Sequence, residues 1–285
     1  MIRQAENHEL LSYAEYAYSL ALDLTRSSFP TYCDGIKTKE DFIRIATGEE
    51  PGAEVLLFEQ ERVKGWIHYY RIREENYIGF YAFCVEENVE DAIDAFLEYI
   101  GGKCPEDQID FGFPKENEAA ISHLRKRGFT VGEESAVYVL HLDAYTVREE
   151  SESVRTVNAD NWKLFQSLHD ADADMYWNSE RLYRAYFSEG TSRWRLFLAC
   201  QNGEARGNIY YTRDGNMAEI FGIDRKENVF DEATEQALLI RALNEMKAEG
   251  AAHVVYFAEQ REETVLTELG FQHITDYVLL WNRQR

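Results

Sequence analysis

The chain repeats itself, and the repeat limits what it can fold into more than any single motif. VKGWIHYYRI (Val63–Ile72) resembles ARGNIYYTRD (Ala205–Asp214), with Gly65 matching Gly207 at a shift of 142 residues. EENVEDA (Glu86–Ala92) resembles KENVFDEA (Lys226–Ala233), with Asn88 matching Asn228 at a shift of 140. HLRKRGFTVGEESAVYVLHL (His123–Leu142) resembles LTELGFQHITDYVLLW (Leu266–Trp281), with Gly128 matching Gly270, again at 142. Matches in one order at nearly one spacing point to a duplicated domain. Between the copies lies DAYTVREESES (Asp143–Ser153), polar and without apolar periodicity, which reads as a linker. The expected domains are residues 1–145 and 152–285.

Each copy reads through the same elements. In the second, SVRTV is a short strand, and Trp162, Phe165 and Leu168 mark one face of a helix over Ala159–His169. Ser179 is placed to cap a helix across Glu180–Phe187. Asn202-Gly203 joins WRLFLAC and ARGNIYYT as a hairpin, and Asp214-Gly215 leads into AEIFGI. A long helix over Glu232–Glu249 stops at Gly250, AHVVYFA is a buried strand, Glu262–Leu269 is a helix, and HITDYVLLW ends the copy. The first copy follows the same order, with helices at Glu9–Leu24, Lys39–Ala46, Val89–Ile100 and Glu116–Arg127. The expected class is α+β: two tandem domains, each a mixed, mostly antiparallel sheet flanked by helices, with one parallel crossover.

Composition narrows the partners. The 285 residues are 45% hydrophobic and 14% aromatic, enough for two cores. The net charge of -22 disfavours nucleic acid and anionic membrane, both of which reward basic patches. It suits a small amine or cationic substrate, or simple solubility. The polar start MIRQAENHELL lacks a signal peptide's apolar core, and no run reaches the roughly 20 apolar residues of a membrane span, so a cytoplasmic location is expected. Cys33, Cys84, Cys104 and Cys200 form no C-x-x-C, and no metal site is expected.

NEAAISHLRKRGF (Asn117–Phe129) resembles the N-x-x-A-x-x-x-[aromatic]-x-x-x-G-F helix of the GNAT superfamily of acyl-CoA-dependent N-acyltransferases, with Asn117, Ala120, Gly128 and Phe129 in place. In the second copy Leu269-Gly270-Phe271 keeps only the ending. With the element order, the resemblance covers both halves and implies the tandem GNAT form. It implies transfer of an acetyl or related acyl group from acetyl-CoA to an amine by direct attack in a ternary complex. Glu219 resembles the fourth-strand glutamate that several members use as general base. At its place the first copy offers Tyr77 or Gly79, so the C-terminal domain is the candidate catalytic one and the N-terminal domain the non-catalytic one.

By the same resemblance the CoA arm would run along the main chain at Ile223, Asp224 and Arg225. Arg225 and Lys226 would help hold its phosphates, and Asp231 and Ala233 would stand in the pyrophosphate loop. The family's loop reads [QR]-x-x-G-x-[GA]; here it is Phe230 to Glu235, and Glu87 to Ala92 in the first copy, without glycine in either. An alternative reading gives this loop to helix capping by Asn228 or Asp231. The family's general-acid tyrosine is replaced by Leu124 and Leu266. HDADADMYW (His169–Trp177) reads in two ways: Asp172 and Asp174 with Tyr176 and Trp177 as a rim that receives an amine, or a polar loop with its two aromatics tucked into the core. Met175 and Arg181 at the sixth and twelfth positions exclude a calcium loop there. The alternative function is a catalytically inactive GNAT-fold binding or interaction protein.

Overall fold

The computed structural model describes residues 1–48, 52–171, 176–188 and 192–282. They form two compact units, Met1–Ala136 with Ile274–Arg285, and Val137–His273.

The first unit opens with β1 (Ile2–Gln4), α1 (Asn7–Ala21), α2 (Lys39–Thr47), β2 (Ala53–Glu59), β3 (Val63–Ile72) and β4 (Tyr77–Val85). It continues through α3 (Val89–Gly101), β5 (Gln108–Pro114), α4 (Glu118–Lys126) and the start of β6 (Thr130–His141). Local chemistry sets the helix starts. Thr38 and Asp41 close a capping box on α2, and the Asn117 side chain accepts from the Ala120 N–H at the start of α4. The sheet order is β1-β2-β3-β4-β5-β12, where β12 (Gln272–Trp281) comes from the far end of the chain. β12 pairs antiparallel with β5 from Tyr277↔Pro114 to Trp281↔Asp110. Its Val278 and Leu280 join Phe83, Phe96, Phe111 and Phe113 in the core.

The second unit holds β7 (Val154–Thr156), α5 (Trp162–His169), α6 (Ser179–Phe187), β8 (Trp194–Gln201) and β9 (Glu204–Asp214). It continues through β10 (Met217–Arg225), α7 (Glu232–Ala248), β11 (His253–Ala258) and α8 (Glu263–Leu269). Its strand order is β7-β8-β9-β10-β11-β6. Asn202 and Gly203 take positive φ, 53° and 82°, so β8 and β9 meet in the expected two-residue turn. Asn178, not Ser179, caps α6: its side chain accepts from the Arg181 N–H, and Ser179 turns its hydroxyl to Asp170 instead.

By compactness the boundary between units therefore runs through β6 and β12. β6 is 12 residues long and passes without a turn from the first unit into the second at Val137. Each sheet is completed by the last strand of the other sequence repeat.

Candidate functional site

β10 is the strand that organises the second unit's site. It pairs antiparallel with β9 along its whole length, but the register shifts between Ile220 and Gly222. Phe221 is the extra residue of this β-bulge and is 39% exposed. The bulge reverses the alternation of faces. Before it, Glu219 stands opposite Thr212; after it, Gly222 and Asp224 stand opposite Tyr210 and Asn208. Thr212, Tyr210 and Asn208 share one face of β9, so Glu219 and Asp224 also share a face although five positions separate them. Ile223 and Arg225 point the other way. A strict period of two, read from the sequence, would have grouped Glu219 with Ile223 and Arg225.

The Glu219 face is covered by α5 and by aromatic rings. Phe221 packs on Trp194 with ring centroids 4.8 Å apart, and Trp194 on Trp177 at 4.8 Å. His169, buried at the last turn of α5, lies 2.7 Å from the Asp224 carboxylate through Nδ1 and 2.5 Å from the Trp177 carbonyl through Nε2. Both partners are acceptors, so only the doubly protonated ring donates to both. Burial alone would lower the His169 pKa, but the Asp224 hydrogen bond and charge, with the Trp177 carbonyl, raise it. Sequence reasoning missed this pair, because nothing local in HDADADMYW or AEIFGIDR links residues 55 positions apart.

The opposite face is built differently. β10 and β11 run parallel and pair only from Met217↔His253 to Ile220↔Tyr256, so beyond Ile220 the strands part. The cleft is spanned by charge. Arg225 is 8% exposed, and Glu235 and Glu262 are 1% each. The Arg225 guanidinium donates to both oxygens of Glu235, at 2.5 and 3.1 Å, and to Glu262. Its remaining N–H groups reach the Ile223 carbonyl at 3.1 Å and Glu259 at 3.5 Å. All five donors of the guanidinium therefore have acceptors. Tyr256 on β11 donates to Glu262 at 2.7 Å, as does the Glu259 N–H. Burial raises the Glu262 pKa, against the Arg225 charge and these hydrogen bonds.

The remaining expected residues scatter around this cluster. Lys226 is drawn off to Glu204 at 2.7 Å. Asp231 precedes α7 without capping it and accepts from the Thr234 hydroxyl, while Asn228 accepts from Arg261. The capping reading of this loop is therefore corrected for both residues. Ala233 lies exposed in the first turn of α7. The Tyr176 ring carries the Arg181 guanidinium 4.4 Å from its centroid. Asp172 and Asp174 lie outside the described residues.

The first unit shows the same parting with a different filling. β4 and β5 pair only at Tyr77↔Gln108 and Ile78↔Ile109. Beyond Ile78, Phe80 stacks on Phe111 at 4.6 Å and meets Phe96 at 5.1 Å. The bulge register makes Gly79 the counterpart of Glu219, so this unit has no carboxylate there.

No protein-family profile and no curated protein matches the sequence. Solved structures do match. A GCN5-related N-acetyltransferase from Sphaerobacter thermophilus superposes with a TM-score of 0.67 at 13% identity, covering 99% of this chain and 95% of that one. A tandem GNAT protein from the clavulanic acid biosynthesis pathway gives 0.57 at 13% identity over 99% and 97%. Saccharomyces cerevisiae N-myristoyltransferase, solved with myristoyl-CoA, gives 0.52 at 10% identity over 99% and 77%. The fold is a tandem GNAT fold. At these identities the likeness speaks for the fold alone.

A GNAT fold implies acyl-CoA, and the side chains present do not fit it. Arg225, the basic side chain expected to help hold a pyrophosphate, is buried and already bound by Glu235 and Glu262. In the first unit, Phe80 and Phe111 stack just beyond the last paired residues of β4 and β5.

Proposed function

We propose that this chain is a GNAT-fold binding protein whose donor groove is filled by its own side chains and whose acceptor face remains. The observation that carries the reading is the Arg225 guanidinium held between Glu235 and Glu262 where the strands part. The ligand face in the second unit would be the side of β10 bearing Glu219, Phe221 and the His169–Asp224 pair. A small amine or other cation is the partner class. The acidity of the chain supports this, as does the seating of the Arg181 cation on Tyr176. No helix among the described residues is long and apolar enough to cross a membrane. Calorimetry with acetyl-CoA tests the reading, with no binding tighter than about 1 mM as the expected result. Micromolar affinity would overturn it.

One observation favours acyl transfer instead: β10 and β11 do separate beyond Ile220, leaving main chain unpaired by β11 from Phe221 onward. Under that reading Glu219 is the base. Glu219→Gln would then lower turnover by roughly 100-fold while leaving cofactor affinity unchanged.

A further inference from the structure

On the ligand face proposed for β10, on which this inference rests, one carboxylate has two unlike sides. Asp224 turns Oδ2 inward to His169 Nδ1 at 2.7 Å, and the imidazole is fully buried. Its other oxygen, Oδ1, has no hydrogen-bond partner among the described residues and is not sealed from solvent; the side chain keeps 16% of its surface exposed. An ionised carboxylate accepts at both oxygens, so Oδ1 is an acceptor left open on the face that carries Glu219. The groups around the imidazole are few. Asp224 faces it from β10, and Asp170 from the end of α5, where Gln166 and Ser179 already donate to Asp170. β9 contributes the Tyr210 ring at 4.8 Å, and the segment before α6 the Trp177 carbonyl at 2.5 Å. Only the doubly protonated ring donates to both acceptors. A cation arriving at Oδ1 therefore meets a carboxylate already shared with a buried imidazolium. The two positive charges repel, so each weakens the other's hold, and by linkage the factor is the same in both directions.

We propose that Asp224 Oδ1 anchors the ammonium group of the ligand, and that this ammonium competes with the His169 proton for the same carboxylate. Binding then releases a proton. It leaves Nε2 for solvent, the Nδ1–H stays on Asp224 Oδ2, and the Trp177 carbonyl loses its donor. The test is calorimetry on the full chain with ethylamine, which stays protonated from pH 6 to pH 9 as a lysine amine does. Affinity should rise at least about fivefold from pH 6 to pH 9. Heats measured in two buffers of different ionisation enthalpy should show a proton released on binding within that range. His169→Gln keeps a donor for Asp224 but cannot titrate; it should bind ethylamine with one affinity at both pH values and release no proton. Asp224→Asn should weaken binding at pH 9 by about tenfold or more. An affinity that does not change with pH in the parent overturns the assignment and leaves the ligand face standing. So does a pH dependence that persists in His169→Gln, or an Asp224→Asn that binds as the parent does. No saturable binding at either pH sinks the assignment and the ligand face together.

Discussion

Arg225 holds together two carboxylates that could not otherwise be buried. Removing one partner of a buried ion pair leaves an uncompensated charge, at a cost of about 3–5 kcal/mol. Arg225→Met should lower stability by that amount, read as a fall in the urea midpoint. Adding Glu235→Gln and Glu262→Gln to Arg225→Met should restore most of it. A loss under about 1 kcal/mol would mean that water reaches the cluster. His169 makes a second residue-scale prediction. Its folded pKa lies above the ordinary value near 6.5, so the folded state binds the extra proton more tightly than the unfolded chain. That stabilisation is complete below about pH 6.5 and is lost as pH rises through the folded pKa. Urea midpoints taken from pH 6 to pH 9 should therefore fall, and His169→Gln should flatten the fall.

At the scale of elements, glycine placement shows how strands were fitted to one another. A Cβ added at Gly112 on β5 would meet the Tyr277 hydroxyl of β12 at 1.9 Å, so the absent side chain lets the tyrosine ring lie over the strand. Gly112→Ala should cost about 1–3 kcal/mol by overpacking, and Tyr277→Ala in the same chain should cancel part of that cost. A double-mutant cycle of thermal midpoints checks it. The elements themselves were legible. The helices over Lys39–Thr47, Val89–Gly101 and Glu232–Ala248 and the Asn202-Gly203 hairpin all follow from apolar period and turn chemistry. The bulge at Phe221 was not legible. One extra residue in a strand leaves the apolar pattern almost unchanged yet moves every later side chain to the other face. That is why Glu219 and Arg225 read as one site and stand on two.

For the whole molecule, the exchanged strands bind each sequence repeat to the fold of the other. A fragment of residues 1–145 would lack β12 and leave Phe111 and Phe113 of β5 on an uncovered edge. It should be expanded or aggregated in solution, with poor amide dispersion. A peptide covering Gln272 to Asn282 should restore order in it; a well-dispersed spectrum without the peptide would refute this. The amino-acid sequence by itself determined the duplication, the order of elements, the GNAT likeness, the missing loop glycines and the missing general-acid tyrosines. These are local matters of spacing and residue type. Only the tertiary structure decided which strand completes each sheet, which charges fill the parted strands, and that His169 meets Asp224. Each of these depends on long-range register and on burial, because a charge taken from water must find its partner wherever the folded chain brings one near.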